Sequence, residues 1–304
     1  MIVYRELSSL ERDLGINAKT LYAVSNNIGK HYHKAKLPKK SGGYRKLSVP
    51  DEILKVIQRQ ISEVLLIHMP VSRYAKAYRF GSSTLRNAKH HVSKQVVLKL
   101  DILHFFDSIR YSTVKDKVFP KEIYAEPLRI LLTMLCYHKD ALPQGAPSSP
   151  AITNIILYEF DELTGQLCRE RDIAYTRYCD DMTFSGDFDP AEVIRFVRLE
   201  LKKMGFLLNE QKTRIQRPGQ QQTVTGIVVN EKLSIPAGYR RKLRQELYYC
   251  RKFGIQEHLQ KTGLEILADT YRMHLLGKVN YLLQVHPNDK DMLDAKKWLQ
   301  QSTK

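Results

Sequence analysis

The stretch YTRYCDDMTFSG, residues 175–186, decides how the chain folds. Two β-forming runs, Tyr175 to Tyr178 and Met182 to Ser185, flank Cys179 and two adjacent acids, Asp180 and Asp181. That pattern predicts a tight hairpin. Successive side chains on a strand point to opposite faces, so the two acids share one site only if the chain turns there. Two carboxylates about 5 Å apart repel by roughly 3 kcal/mol at an effective dielectric near 20. Aspartate is common in solvated turns, which is the bland explanation of the pair. An acid pair at the tip of an apolar hairpin asks for a stronger one.

Working outward, DPAEVIRFVRLELKKMG (189–205) predicts a helix that opens on Asp189, Pro190 and Glu192 in a capping-box arrangement and stops near Gly205. On the other side, SPAITNIILYEFDELTGQL (149–167) predicts one helix with Ser149 as N-cap and Pro150 at its first position. Its Ile152, Ile155, Ile156, Phe160, Leu163 and Leu167 line one face. KQVVLKLDILHFFDSI (94–109) holds a buried-strand run from Val96 to Leu100 that ends in Asp101, and TVTGIVV (223–229) reads as another short strand. Strand, helix, hairpin, helix, strand is the order of a ferredoxin-like split βαβ sheet in an α+β protein. Upstream, HYHKAKLPKKSGGYRKLSVP (31–50) predicts a basic hairpin with Ser41, Gly42 and Gly43 at its turn. A helix follows over 51–69, with Ile53, Ile57, Ile61, Val64 and Leu65 on one face. From about residue 236 the chain is helical and basic, ending in a helix around Leu264, Leu267, Tyr271 and Leu275.

With 304 residues, of which 43% are hydrophobic, the chain can bury a core divided into two or three subdomains. Its 49 Lys and Arg against 32 Asp and Glu leave a net charge of +17, which points to a polyanionic partner, nucleic acid first. No apolar run approaches the ~18 residues of a membrane span, and MIVYRELSSLERDLG carries charges where a signal peptide needs apolar residues. The expectation is a cytoplasmic protein with no membrane partner. Cys136, Cys168, Cys179 and Cys250 are scattered, which fits reduced thiols and excludes a disulfide framework or a zinc site.

A third acid belongs with the pair. Asp101 closes an apolar strand, where a charge needs a compensating partner. If that strand lies beside the 175–185 hairpin, Asp101, Asp180 and Asp181 converge at one sheet edge. Two divalent cations roughly 3.5–4 Å apart, bridged by carboxylates, turn that repulsion into a site for in-line phosphoryl displacement. Magnesium, an oxygen-seeking ion that leaves positions open for phosphates, suits the role.

LDILHFFDSI, LPQGAPSSP and YCDD resemble, in order and spacing, the polymerase motifs of reverse transcriptases, over roughly residues 36–230. The resemblance implies a right-hand polymerase: fingers over 1–95 with an N-terminal helical segment, a ferredoxin-like palm over 96–230, and a helical thumb over 231–304. It implies an RNA-directed DNA polymerase in which Asp101, Asp180 and Asp181 are catalytic and, with Ile102, bind two Mg²⁺ ions. Phe106 then lies beneath the incoming sugar and selects dNTPs by excluding a 2′-hydroxyl. Gln144 contacts nucleotide and template, while Gly145 permits close backbone approach. Arg45 grips the triphosphate with Lys46 assisting, since an arginine fork suits phosphate oxygens. Lys212 stands near the leaving pyrophosphate. Ordinary core packing for Phe106 and a solvated basic hairpin for Arg45 and Lys46 are the competing readings.

Asn87 and His91 in NAKHH, and Val224, Thr225 and Gly226 in VTG, resemble features of the bacterial retron branch; Cys179 departs from the alanine more usual there. The branch implies synthesis on a cognate structured noncoding RNA that these regions help recognise. Priming is expected from an internal guanosine 2′-hydroxyl, giving branched RNA–DNA, with a role in antiphage defence beside a separate effector protein. In the thumb, Tyr239, Leu243, Leu247 and Cys250 share one helical face, while Arg240, Arg244 and Arg251 form a basic stripe suited to phosphates. The roughly 74 residues after 230 are enough for a thumb but not for an RNase H domain, so template removal is expected from host RNase H. Two alternatives stay open: another bacterial reverse transcriptase of group II intron or diversity-generating type, and an inactive polymerase fold that binds RNA.

Overall fold

The computed structural model describes residues 3–38 and 42–301; Ser41, the first residue of the expected finger turn, lies outside them. The chain divides into two compact units. One comprises the residues up to Ser82 with Leu98–Phe184 and Phe188–Ile215, the other Ser83–Val97, Ser185–Asp187 and the residues from Gln216 on.

In the first unit, β1 (Tyr32–Pro38) and β2 (Tyr44–Pro50) form the expected antiparallel hairpin, in register from Tyr32 opposite Pro50 to Pro38 opposite Tyr44. Four further strands, whose residues belong to this unit apart from Val96, Val97, Ser185, Gly186 and Gln216, make the sheet that matters for the site: β3 (Val96–Asp101), β4 (Ala174–Tyr178), β5 (Asp181–Gly186) and β6 (Arg214–Gln216). Their order is β4-β5-β3-β6, that of a ferredoxin-like split βαβ sheet. β3 is the central apolar run: only Lys99 in it is not buried, as a strand covered on both faces requires. The helix Pro190–Lys203, capped by Asp189, buries Val193, Val197 and Leu201 at four-residue spacing in the same core as Leu98, Tyr175 and Phe184.

Two helical expectations need correction. Residues 149–167 are not one helix but two, Ser149–Ile156 and Tyr158–Glu170, separated at Leu157 (φ −89°, ψ 6°). The break rotates the second helix relative to the first, so Leu163 is 45% exposed while Asp161, Thr164, Gly165 and Cys168 are buried. Ser149 is inside the helix, its hydroxyl donating to the Pro143 carbonyl at 2.8 Å, and Ser148 takes the cap position. Between 51 and 69 an α-helix (Glu52–Gln60) passes into one wider π turn (Ile61–Leu65), and the buried face is Leu54, Ile57, Ile61 and Leu65, with Ile53 turned to solvent.

In the second unit the expected strand over 223–229 is a two-stranded hairpin, β7 (Thr223–Val224) and β8 (Ile227–Val228). Thr225 and Gly226 both take positive φ, 46° and 83°, which reverses the chain within two residues. Val224, Ile227 and Val229 pack with Val97 and with Ala88 of the helix Thr84–Lys89. Helices Ala237–Phe253, Ile255–Thr262, Ala268–Val285 and Lys290–Gln301 share a second core that includes Leu243, Leu247, Cys250, Tyr271 and Leu275. Leu264 and Leu267, expected inside the third of these, precede it and are exposed. No helix among the described residues is long and apolar enough to cross a membrane. The four cysteines are free and buried, and burial pushes the Cys136, Cys168 and Cys179 thiols up to about 12.

Candidate active site

Because β5 lies next to β3, the strand that ends in Asp101 meets the hairpin that carries the acid pair. The amide of Ile102 donates to the Asp180 carbonyl at 3.2 Å, fixing the end of β3 against the turn. Cys179 takes a positive φ of 62° and so lets the chain reverse. Asp180 occupies the turn, whereas Asp181 is the first residue of β5; the acids divide between turn and strand instead of sharing the turn.

Asp101 is buried, and both of its carboxylate oxygens are engaged. Asn209 Nδ2 donates to Oδ1 at 2.9 Å and Lys212 Nζ to Oδ2 at 2.7 Å. Burial alone would lower the Lys212 ammonium, but the bond to Asp101 and the charges of Asp101, Asp180 and Asp181 raise it above the usual lysine value. Asp181 keeps an exposed flank, yet desolvation of its carboxyl, then the charges of Asp180 and Asp101, push it up to about 6. Among the described residues no three His, Cys, Asp or Glu side chains converge closely enough to hold a metal ion in this arrangement. Lys99 and Lys212 supply the positive charge instead. The donor set nevertheless fits magnesium: three carboxylates, all hard oxygen ligands, close enough to feel one another's charge.

Behind the turn lies a buried network that the sequence did not announce. Arg177 and Asp161 are both 0% exposed and form a two-pronged ion pair, Nη2 to Oδ2 at 2.6 Å and Nε to Oδ1 at 2.8 Å. Tyr175 donates its hydroxyl to Asp161 Oδ1 at 2.8 Å. The remaining arm of the guanidinium, Nη1, donates to the Cys179 carbonyl at 2.9 Å, one residue before Asp180. Burial opposes the guanidinium charge, and Asp161 more than restores it. The Tyr78 hydroxyl donates to Cys179 Sγ at 3.6 Å. The available signal was an arginine inside an otherwise buried strand, which needs a buried acid to satisfy it.

The residues expected around the nucleotide are linked through backbone. Phe106 is half-buried and packs edge-on against Phe105, with ring centroids 5.6 Å apart. Its carbonyl accepts from Leu142 at 3.1 Å, at the start of the loop that carries Gln144 and Gly145. The Gln144 carbonyl accepts from the Ser48 amide at 3.0 Å, joining that loop to β2. Gly145 has φ 117°, and a Cβ there would stand 3.0 Å from the Ser48 carbonyl oxygen, so only glycine allows the approach. Arg45 and Lys46 lie exposed on β2 and, as successive strand residues, point to opposite faces.

Of the residues expected at the RNA, Asn87 and Thr225 come together, Asn87 Nδ2 facing Thr225 Oγ1 at 3.5 Å, and the Thr225 hydroxyl donates to the Thr84 carbonyl at 3.0 Å. Asn87, His91 and Val224 are buried, and the His91 ring bonds the Ser185 hydroxyl at 2.7 Å. The arginine stripe meets the last helix and the residue before it: Arg240 pairs with Asp289 at 3.2 Å, Arg244 with Asp291 at 3.3 Å, and the Arg251 guanidinium lies over the Trp298 ring at 5.5 Å.

Comparison with known proteins agrees with this geometry. The model of the family described as reverse transcriptase (RNA-dependent DNA polymerase) matches residues 37–267. The Retron Mx65 reverse transcriptase of Myxococcus xanthus is 33% identical over 285 residues, 87% of this chain but 64% of that protein. The chain thus spans less than two thirds of that relative. The Retron Ec83 reverse transcriptase of Escherichia coli is 31% identical over 282 residues, covering 88% of this chain and 86% of that protein. Among solved structures, apo telomerase from Candida tropicalis, truncated from its C-terminal domain, shares the fold over 67% of this chain and 54% of that chain, with a TM-score of 0.50 at 15% identity.

Proposed function

The chain belongs to the reverse transcriptase family, in its retron branch, and from that premise we propose that it performs magnesium-dependent, RNA-templated DNA synthesis on a cognate structured noncoding RNA. One observation carries the reading: the end of β3 is bonded to the aspartate turn, so that Asp101, Asp180 and Asp181 all act on the Lys212 ammonium, while Asp181 feels Asp180, Asp101 and the ammonium of Lys99 as well. Asp101, Asp180 and Asp181, with Ile102 beside them, would hold two Mg²⁺ ions, which when bound would supply the charge that stabilises the attacking and leaving oxygens of phosphoryl transfer. Lys212, kept protonated beside Asp101, holds a proton and a positive charge near the departing pyrophosphate. Phe106 excludes a 2′-hydroxyl, Gln144 reads nucleotide and template, and Arg45 grips the triphosphate, while Lys46 points to the opposite face of β2 and takes no part in that grip.

Functionally the chain divides into fingers (1–95), palm (96–230) and thumb (231–304). Thr225 and Gly226 with the arginine stripe of Arg240, Arg244 and Arg251 face the RNA, while buried Asn87 and Val224 hold that hairpin in shape and buried His91 braces Ser185. Synthesis starts from the 2′-hydroxyl of an internal guanosine and leaves a branched RNA–DNA joined by a 2′,5′ linkage. Host RNase H removes template, and the product serves antiphage defence beside a separate effector protein.

Primer extension on an RNA template tests the core of this reading: DNA product is expected with the wild-type chain and none with Asp180→Asn, and equal product from both removes the metal assignment. The linkage is tested by treating the nucleic acid purified with the protein with debranching enzyme. A product that keeps its mobility refutes the 2′,5′ joint.

A further inference from the structure

The helix Ala237–Phe253 has a second functional face. Tyr249 and Phe253 stand roughly half a turn around it from Arg240, Arg244 and Arg251. They are 39% and 38% exposed and lie off the core face, which is filled by Leu243, Leu247 and Cys250. Together with the helix Ile255–Thr262 they line an open cavity of about 630 Å³, large enough for a nucleotide. Its rings run nearly parallel: Tyr249 lies 21° from the plane of Phe253 and 13° from that of His258, with both centroid separations 6.2 Å. His258 is held in place by Tyr271, whose hydroxyl is 3.2 Å from its Nε2.

Charge at the rim is positive. Lys242 and Lys261 line the cavity, and the Lys261 ammonium sits 4.2 Å from the Phe253 ring centroid. The acid in the lining, Glu246, is neutralised by Lys278 at 2.7 Å. Lys261 also reaches Glu257 at 2.8 Å, an exposed pair that costs little to exchange for a phosphate. Nearly parallel rings, with the Lys261 ammonium over the face of Phe253 and Lys242 in the lining, match a ligand that is flat and aromatic at one end and anionic at the other. We infer that this cavity binds an unstacked nucleobase and its phosphate from a single-stranded stretch of RNA, separately from the arginine stripe. Stacking of bases on aromatic side chains with lysines along the backbone is how single strands are held without duplex geometry.

The inference rests on the nucleic-acid reading proposed above, and the test separates the two. The full chain is titrated with a fluorescent single-stranded RNA oligonucleotide and with the blunt duplex of the same sequence. Tyr249→Leu/Phe253→Leu keeps apolar volume and helix propensity but removes both rings. It should weaken single-strand binding about ten-fold or more, leave duplex binding and extension of a pre-annealed primer unchanged, and be reversed by Tyr249→Phe/Phe253→Trp. Equal losses on both RNAs, or no loss on either, overturn the inference, as does loss of a protein partner with RNA binding intact. Should the leucine variant fail to fold, photo-crosslinking of 4-thiouridine RNA to the wild-type chain decides: the crosslinked peptide should contain Tyr249 or Phe253, and crosslinks confined elsewhere overturn it. A wild-type chain that neither extends primers nor binds RNA instead sinks the polymerase reading itself.

Discussion

The aspartate turn and the arginine stripe carry opposite charge and are held in opposite ways. Around the turn, the ion pair behind Asp180 is fully buried, and its spare arm ends on the Cys179 carbonyl. Along the stripe, Arg244 meets Asp291 at 3.3 Å with both side chains largely in solvent. A carboxylate that takes part in bond making must be placed to a fraction of an ångström, and buried bidentate hydrogen bonds provide that. A guanidinium that greets a phosphate needs reach and a weak resting partner it can leave. Rigidity therefore sits where chemistry is expected, and exchangeable pairing where binding is.

The largest effect that would break this contrast lies at the turn. Asp180→Asn should lower primer-extension rate on the order of 10²–10³-fold or more, with the circular dichroism spectrum unchanged; a loss under ten-fold would place the chemistry elsewhere. Next comes the brace. Arg177→Met strands Asp161 in the core and should cost about 3–5 kcal/mol in urea unfolding. Arg177→Met/Asp161→Leu should recover most of that stability yet keep a slow enzyme, because the Cys179 carbonyl has still lost its donor. Full recovery of activity in the double variant would reduce the pair to a packing element. Asn209→Ala removes one bond to Asp101 and should raise the magnesium concentration needed for half-maximal rate roughly 10–100-fold, with little change in dNTP KM.

A smaller effect concerns pH. Asp181 is raised to about 6 in the fold from an ordinary value of 3.8. The native state therefore holds this proton more tightly than the unfolded chain does. Its contribution to stability is complete below about pH 4 and is lost as pH rises through 6. Without magnesium, Asp181→Asn should melt higher than wild type above pH 6, by about 1 kcal/mol after allowance for solvent on its exposed flank. Below pH 4 the two should coincide, and a difference that persists there would contradict the titration. Smallest of all, Arg244→Gln should leave stability within about 0.5 kcal/mol and reduce the salt slope of RNA binding by roughly one; an unchanged slope would remove Arg244 from the interface.

Much of the first region is legible in the amino-acid sequence. Alternating apolar residues around Cys179, Asp180 and Asp181 mark the hairpin, and the uninterrupted run Val96–Leu100 marks a strand covered on both faces, so the meeting of Asp101 with the pair follows from topology. Asp161 is not legible in the same way. In an unbroken helix over 149–167 the apolar face runs through Leu163, and only the break at Leu157 turns Asp161 inward to Arg177. Periodicity cannot register a break that no proline or glycine marks. The VTG tripeptide has the complementary difficulty. Its Thr225 takes a positive φ that threonine rarely adopts, so residue types alone make the run a strand where the backbone makes a turn. Nor does a motif disclose burial: Asn87, His91 and Val224 sit inside the second unit, while Thr225 and Gly226 form its turn.

Gly165 lies in the middle of the helix Tyr158–Glu170, where glycine is a poor helix former. A Cβ at that position would stand 2.0 Å from the ring of Tyr74. That ring rests against Tyr175, which donates to Asp161, which holds the arginine behind the aspartate turn. Positions 74 and 165 are therefore coupled by space: a larger residue at 165 fits only where the side chain at 74 is smaller or its ring is displaced. Either change takes packing away from Tyr175 and loosens the floor beneath the two aspartates.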